Sequence, residues 1–169
     1  MYTYRRRGQP LRIPTPGKNA RVAVCGAYRW PDGPFVFTHG PKCVNTGLFV
    51  GMLEMLEARA RRTGKRIVLV LDNGSAHKSK RSLGEVERVK DYIRVFWLPT
   101  YTSEQLNDIE GVWKHLKEDY FSRMLVKDRE QFTDAVVALL TRVRRGHVLR
   151  AMLKPRHRAS VSKNLTVPA

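Results

Sequence analysis

Two acidic side chains, Asp72 and Glu110, stand where carboxylates could support metal-dependent chemistry. Asp72 is the first polar residue after the apolar run at positions 67–71, so it ends a predicted buried strand. Glu110 lies between Ile109 and Val112 at the start of a predicted amphipathic helix. Hard divalent cations such as Mg²⁺ prefer carboxylate oxygens. Two such ions about 4 Å apart can activate a water and stabilise a leaving 3′ oxygen. The pair therefore predicts metal-dependent cutting of a phosphodiester backbone.

Each acid alone also has an ordinary structural interpretation. Asp72, Asn73 and Gly74 make a good turn sequence, so position alone favours a turn residue and a functional residue equally. Glu110 alone is better explained as a solvated helix acid paired with Lys114, which is worth only a few tenths of a kcal/mol. Asp108, near the same helix start, is equally well explained by capping. The functional interpretation therefore depends on the two acids acting together.

The charge of the chain favours a polyanionic partner. Its 169 residues include 32 Lys and Arg against 15 Asp and Glu, which gives a net charge of +17. Neutralising phosphates with such side chains releases counterions and promotes binding. We expect DNA as the partner, and the alternative is a soluble protein that is merely basic. The candidate DNA-binding residues are Arg5, Arg6, Arg7, Lys78, Lys80, Arg81, Lys114, Lys117, Arg144 and Arg145.

Cysteine usage and hydropathy point to a reducing compartment. Cys25 and Cys43 lack the spacing of a zinc finger or a disulfide framework, and we expect both to be buried or half-buried. No apolar run approaches the roughly 18 residues of a membrane span, and the N-terminus lacks a signal-peptide core. We therefore expect a cytoplasmic protein with no membrane partner.

The periodicity of apolar residues predicts an α/β domain. Its elements are expected to form a mixed sheet with an antiparallel edge and helices on both faces. The first predicted elements are strands at 21–29 and 35–37 around a turn at 30–34. A helix follows from Asn45 or Thr46 to about Arg62 and stops at Gly64, and after it comes a strand at 67–71 that is covered on both faces. The remaining elements are a helix within 78–92, a strand at 93–98, a helix from Leu106 to about Met124 and a helix capped by Asp128. We assign residues 1–146 to this domain and residues 147–169 to a basic C-terminal tail.

Two segments resemble mariner-like insertion-sequence transposases of the DDE superfamily. Residues 71–79 read LDNGSAHKS and resemble the family segment LDNxxxHKS. Residues 98–117 read LPTYTSEQLNDIEGVWKHLK and resemble the family block LPxYSPxLNPIExxWxxLK. The RGQP at residues 7–10 and the strand that reaches Ala27 look like a third family segment. The likeness extends over roughly residues 5–145.

The resemblance implies a ribonuclease-H-like fold with Asp72 as the second acid of a triad and Glu110 as the third. Family members bind two Mg²⁺ ions, for which Mn²⁺ can substitute, cleave transposon ends and join the freed 3′-hydroxyl to target DNA. Asn73, His77 and Asn107 match positions close to that site, and a structural role for His77 is an equal alternative. Trp113 matches a family tryptophan that we expect to pack in the core.

The first acid of the triad is not where the resemblance expects it. Family members carry it on a strand just before the RGQP segment, where this sequence has only a few residues. The only acid before Glu54 is Asp32, inside a Pro-Asp-Gly turn. We therefore expect the C-terminal part of a transposase with an incomplete first strand, and little cleavage by the isolated chain. The alternative is a basic remnant that coats DNA or associates with full-length transposase. A homodimer is a further possible assembly.

Overall fold

A β-hairpin opens the part of the chain that the structure describes. The computed structural model describes residues 20–29, 35–100, 102, 106–124, 126 and 128–144. Strand β1 (Ala23–Tyr28) pairs antiparallel with β2 (Phe35–Gly40), in a register that joins Ala23 to Gly40 and Tyr28 to Phe35. The predicted turn at 30–34 and the segments 1–19 and 145–169, which include the expected tail, lie outside the described residues.

Helix α1 (Thr46–Thr63) follows the hairpin and has well-defined ends. The sequence left Asn45 and Thr46 open as the N-cap, and the structure assigns Asn45, whose side chain accepts a 3.0 Å hydrogen bond from the Leu48 N–H. Gly64 ends the helix with φ of 63°, a left-handed conformation that glycine adopts without a Cβ penalty. Both boundaries agree with the prediction.

A parallel strand pair and two short helices come next. Strand β3 (Ile67–Leu71) pairs with β4 (Ile93–Trp97), residue for residue from Ile67 with Ile93 to Leu71 with Trp97. The connection between them contains α2 (Ser75–Lys78) and α3 (Lys80–Arg88), where the sequence predicted one helical stretch. Ser79 separates the two helices because its side chain caps α3 by accepting from the Ser82 N–H.

The C-terminal elements are helical. Helix α4 (Ile109–His115) continues as a π-helical turn (Leu116–Tyr120) and a 3₁₀ turn (Phe121–Arg123), so the predicted helix begins three residues later than Leu106. Helix α5 (Arg129–Arg144) is capped by Asp128, whose carboxylate accepts a 2.8 Å bond from the Gln131 N–H. No helix among the described residues is long and apolar enough to cross a membrane.

The core has two layers, one on each face of the hairpin. Phe35 and Val36 are neighbours on β2 and therefore point to opposite faces. Val36 packs with α1 and with β3 and β4 in one cluster, whose most buried members include Phe49, Leu53 and Ile93. Phe35 packs with α4 and α5 in the other cluster, formed by Phe35, Val112, Leu116, Val136, Leu139, Leu140 and Val143.

The parallel pair is covered less completely than the sequence predicts. Leu69 and Leu71 are buried toward α1, whereas Val68 and Val70 on the other face are 61% and 48% exposed. The expectation that residues 67–71 are covered on both faces is wrong, because α4 and α5 pack on the hairpin instead. Cys25 is buried as expected, but Cys43 is exposed.

The α/β class is confirmed, with one antiparallel and one parallel strand pair and packed helices, and the arrangement fits the expected ribonuclease-H-like fold. Helices cover both faces of the hairpin, but the single mixed sheet that the sequence predicted is not formed by the described strands. Among the described residues, the hydrogen bonding divides the strands into two pairs, β1–β2 and β3–β4. The unpaired edges of these two pairs border the candidate site.

Candidate active site between the strand pairs

The end of β3 presents Asp72 in a fixed orientation. The apolar run of β3 ends at Leu71. The backbone turns after it, and this turn is stabilised by a 2.9 Å hydrogen bond that the Gly74 N–H donates to Asp72 Oδ1. His77, on the short helix α2, lies 2.9 Å from the same oxygen through its Nδ1. An ionised carboxylate can only accept, so Nδ1 carries the proton of that hydrogen bond. The other oxygen, Oδ2, accepts no hydrogen bond from the described residues.

The histidine is itself held by packing. Its ring lies 4.6 Å from the ring of Phe49, centroid to centroid, and Phe49 is fully buried in α1. The His77 side chain is 16% exposed, and that of Asp72 is 31% exposed. His77 therefore serves as a support that orients Asp72, while the carboxylate remains accessible from solvent.

A chain of hydroxyl groups fixes the two short helices beside this turn. Thr46 at the start of α1 donates to Ser79 Oγ at 2.8 Å, and Ser79 donates to Ser82 Oγ at 2.8 Å. Ser82 is fully buried and donates to the Ala76 carbonyl at 2.5 Å. Buried hydroxyls are costly without partners, so this continuous chain holds α2 and α3 against α1.

Glu110 reaches the same region from a different element. It is the second residue of α4 and is exposed. Within the described residues neither Glu110 nor Lys114 forms an ion pair, so the ordinary pairing considered for Glu110 is not observed. Asp108 stands at the N-cap position of α4 without a side-chain capping bond.

Asp72 and Glu110 border one cavity of about 600 Å³. Its walls include residues 24–29, which are most of β1 and the residue after it, and residues 68–72, which are most of β3 and the residue after it. The start of α4 completes them. His77, Asn107 and Asp108 also line it. The fold thus brings two carboxylates that are far apart in sequence to the same opening.

Asn73 has a different role from the one expected of a site neighbour. Its side-chain Nδ2 donates a 2.7 Å bond to the Leu98 carbonyl, so it connects the end of β3 to the end of β4. Among the described residues it is not part of the cavity wall. Asn73 therefore stabilises the strand ends that carry Asp72.

Cys25 is buried and lines the cavity, a position that the sequence did not predict. Burial, and to a lesser extent the negative charge of Asp72, raise the pKa of its thiol to about 12. The thiol also contacts Met52 Sδ at 3.7 Å. It therefore stays neutral at physiological pH and is unsuited to binding a hard cation. Only the three-dimensional placement of β1 and the end of β3 on the same cavity reveals this proximity.

Gly26, on β1, has no side chain and so lets the rings of Phe35 and Trp113 approach this strand closely. A Cβ at this position would lie 2.8 Å from the Phe35 ring and 3.0 Å from the Trp113 ring. Those two rings meet edge to face, with centroids 5.7 Å apart. Trp113 therefore packs as expected, and it closes the cavity on the side of α4.

The cations predicted to bind DNA are exposed where they are described. Lys80 and Arg81 lie at the start of α3, and Lys114 and Lys117 lie on and just after α4. None of these four forms an ion pair within the described ranges. Lys78 lies over the Trp97 ring, 3.7 Å from its centroid. Arg5, Arg6, Arg7 and Arg145 lie outside the described residues, as does the side chain of Arg144.

Comparison with known proteins identifies the family. The model of the DDE superfamily endonucleases matches residues 1–133. The insertion element IS630 uncharacterized 39 kDa protein of Shigella sonnei is 33% identical over 112 residues, which is 66% of this chain and 32% of that protein. The chain belongs to the DDE superfamily of endonucleases, and the predicted relation to insertion-sequence transposases is confirmed. It spans about a third of the length of this curated relative.

One solved structure to which the chain is similar comes from a viral assembly. It is the cryo-EM structure of the simian T-cell lymphotropic virus intasome in complex with the PP2A regulatory subunit B56 gamma. The match has a TM-score of 0.39 and 18% identity, and it covers 79% of this chain and 50% of that one.

Proposed function

We propose that Asp72 and Glu110 are metal ligands in the catalytic part of an insertion-sequence transposase, acting in DNA cleavage and strand transfer. The observation that carries this proposal is their convergence on one cavity from the end of β3 and the start of α4. The first is oriented by Gly74 and His77, and the second is exposed and forms no ion pair within the described residues.

The residues at the cavity fit a divalent cation in part. Carboxylate oxygens are the hard donors that Mg²⁺ and Mn²⁺ prefer, and Asp72 Oδ2 is available to donate electrons to an ion. The Asn107 amide is a further oxygen donor in the wall. When bound, such ions would stabilise charge on the attacking and leaving oxygens of a phosphodiester. His77 and Gly74 keep the Asp72 carboxylate oriented during that chemistry.

Two carboxylates hold a cation weakly, so we expect the isolated chain to cleave little DNA. Within the described residues there is no group of three His, Cys, Asp or Glu side chains placed to bind one ion. Asp32, the only aspartate upstream of Asp72, lies outside the described residues. A third ligand in addition to Asp72 and Glu110 would make cation binding at this pair tighter.

A nicking assay tests this proposal directly. Supercoiled plasmid would be incubated with the purified chain in Mg²⁺ and in Mn²⁺, alongside Asp72→Ala, Glu110→Ala and the control Glu118→Ala. We expect at most faint nicking, and any nicking should disappear in the first two variants only. Robust nicking that needs both acids would show that two ligands suffice. Robust nicking that survives both substitutions would refute the roles of Asp72 and Glu110.

DNA binding in the cytoplasm is the second part of the proposal, and the exposed cations favour it. Non-specific binding by these side chains should weaken steeply between low and physiological salt. The double variant Lys80→Gln/Arg81→Gln should bind duplex DNA less tightly and with a shallower salt dependence. The matched control, Arg62→Gln/Lys65→Gln, removes two exposed cations at the far end of α1. Equal losses in both variants would mean that charge alone, without a defined surface, governs binding.

The same cations could serve a chain that binds DNA without cutting it, or one that associates with a full-length transposase or with itself. The nicking assay and the salt titration separate these roles, because a non-catalytic remnant binds DNA and shows no dependence on Asp72 or Glu110.

A further inference from the structure

A second cavity, the basic pocket, opens on the surface where the open end of the hairpin meets the start of α5. Its volume is about 380 Å³. The side chains that line it are exposed and come from three separate segments: Arg21, Pro41, Lys42, Cys43 and Arg129. Three of these five residues carry a positive charge, and none carries a negative charge. The basic pocket therefore favours an anionic ligand.

The three cations of the basic pocket have no acidic partner within the described ranges. Neither Arg21, Lys42 nor Arg129 forms an ion pair there. Asp128 and Glu130 flank Arg129 in the sequence but do not line the pocket, and the Asp128 carboxylate caps α5 instead. Like charges around one cavity repel each other, so a bound anion would relieve this repulsion.

The guanidinium of Arg129 is held in place at the wall of the basic pocket. Its Nη2 donates a hydrogen bond to the Pro41 carbonyl, which connects the start of α5 to the segment after β2. A guanidinium carries five N–H donors, so this contact leaves others for a ligand. Its planar arrangement of donors matches the oxygens of a phosphate group. The pocket thus combines a positioned donor with two further positive charges.

The lining of the basic pocket is suited to a phosphate of a nucleic-acid backbone. Among the described residues its uncharged part consists of Pro41 and Cys43, which offer no aromatic or aliphatic surface for a base or a peptide side chain. A backbone phosphate needs only charge and N–H donors, and such contacts position DNA without reading its sequence. The net charge of +17 also favours a long polyanion over an isolated small anion.

The basic pocket is joined to the turn that carries Asp72. Cys43 in its wall lies three residues before Thr46, the first residue of α1. Thr46 donates a 2.8 Å hydrogen bond to Ser79, which follows α2, and His77 of α2 contacts Asp72. A few short steps through the start of α1 therefore link the pocket to the candidate active site.

We infer that the basic pocket binds a backbone phosphate of the DNA that reaches Asp72, without regard to base sequence. The choice of DNA rests on the proposed function, whereas the binding of a phosphate group does not. The sequence did not single out Arg21, Lys42 or Arg129 as DNA-binding residues, because only the fold brings their three segments together.

Cys43 provides a direct measurement of occupancy in the full chain. It is exposed in the basic pocket, whereas Cys25, the other cysteine, is buried with its pKa raised to about 12. Iodoacetamide reacts with thiolates, so at neutral pH it should modify Cys43 alone. Mass spectrometry would follow the reaction in inorganic phosphate and in chloride of equal ionic strength. We expect about 10 mM phosphate to slow it about threefold relative to chloride, as for a site with millimolar affinity.

Two matched variants test whether the cations of the basic pocket cause this protection. Arg21→Gln/Lys42→Gln removes two of them, and Arg62→Gln/Lys65→Gln removes an exposed arginine and an exposed lysine at the other end of α1. Phosphate should no longer protect Cys43 in the first variant and should still protect it in the second. Protection in the wild type that is no greater than in chloride, or that persists in the first variant, would overturn the inference.

The same variants test DNA as the source of the phosphate. Binding of a fluorescein-labelled duplex would be measured by anisotropy over a range of salt concentrations. Loss of one phosphate contact should lower the slope of log affinity against log salt by about one and weaken binding equally for unrelated sequences. We expect this change for Arg21→Gln/Lys42→Gln and a smaller change for Arg62→Gln/Lys65→Gln. Equal changes in both variants would overturn the assignment of a phosphate contact to the basic pocket.

The outcomes separate this inference from the proposed function. If the chain binds DNA but the pocket variant behaves like its control, the inference fails and the proposed DNA binding stands. If the wild type binds no DNA even at low salt, the proposed DNA binding fails, and phosphate protection of Cys43 would then assign the basic pocket to a smaller phosphate-bearing ligand. Stronger protection by a glutamate peptide than by the duplex, at equal ionic strength, would assign the pocket to an acidic protein and overturn the choice of ligand.

Discussion

Asp72 and Glu110, the two acids of the candidate site, differ in how firmly neighbouring residues hold their side chains. Asp72 stands in a turn where Gly74, His77 and the buried ring of Phe49 fix its orientation. Glu110 stands on an exposed helix turn and forms no ion pair within the described residues. The difference indicates that the fold fixes the orientation of the Asp72 carboxylate, whereas no ion pair within the described residues fixes that of Glu110.

This contrast predicts that substitutions around the Asp72 turn lower the free energy of unfolding strongly, whereas those around Glu110 hardly change it. The largest effect is expected for Phe49→Ala, because it removes a fully buried ring that also supports His77. The free energy of unfolding should fall by about 3–5 kcal/mol in urea titrations. Leu106→Ala, near Glu110 and 55% exposed, should change it by less than about 0.5 kcal/mol. Similar losses of unfolding free energy in Phe49→Ala and Leu106→Ala would contradict this contrast between the two acids.

A smaller effect is expected for Ser82→Ala. It leaves the Ser79 hydroxyl and the Ala76 carbonyl without their buried partner, at a cost of about 1–2 kcal/mol in the free energy of unfolding. The matched control is Ser122→Ala, which removes an exposed hydroxyl that donates to the Glu118 carbonyl beyond α4. Thermal denaturation would compare them, and equal stability of the Ser82 variant and the wild type would show that the hydroxyl chain does not hold the turn.

The attachment of α3 to α1 should depend on pH. Hydrogen bonds from Arg61, and then from Arg88, hold the pKa of Glu57 below its ordinary value of 4.5. The ionised form therefore stabilises the fold above that pH, and this stabilisation is lost as the pH falls through the lowered pKa. Glu57→Gln should be less stable than wild type at neutral pH, by less than Ser82→Ala, and the difference should vanish in acid.

The control for that experiment is Glu87→Gln, which removes the exposed carboxylate near the end of α3 that pairs with Lys90. Its stability relative to wild type should hardly vary with pH, because exposed pairs contribute little. A Glu57→Gln deficit that persists unchanged at low pH would show that packing, rather than charge, accounts for the loss.

The smallest effect is expected at Glu110 itself. Glu110→Gln should leave the free energy of unfolding within about 0.5 kcal/mol of wild type, because the carboxylate is exposed and forms no ion pair within the described residues. Asp72→Asn should cost about 1 kcal/mol, since it weakens the hydrogen bonds from Gly74 and His77. Denaturant titrations of the two variants would reveal the asymmetry, and a reversed order would contradict it.

Much of this arrangement was predictable from local patterns. Asn45, Gly64 and Asp128 are residue types with strong preferences at helix ends, and the apolar run before Asp72 identified a strand whose end could carry chemistry. The tertiary features were not predictable in the same way. The contact of Phe49 with His77, and the burial of Cys25 near Asp72, join residues from distant segments. The exposure of Val68 and Val70 depends on where α4 and α5 pack, which strand periodicity does not encode.

The central claim is that Asp72 and Glu110 share a divalent cation, and Mn²⁺ binding to the wild type, Asp72→Asn, Glu110→Gln and the double variant tests it most directly. Titrations monitored by electron paramagnetic resonance would give the four affinities. If the acids share an ion, each single substitution should weaken binding about tenfold, and the double variant should bind scarcely less than the weaker single variant. The claim of a shared site would be contradicted if the losses of Mn²⁺-binding free energy in the two single variants simply added in the double variant. It would also be contradicted if neither substitution affected Mn²⁺ binding.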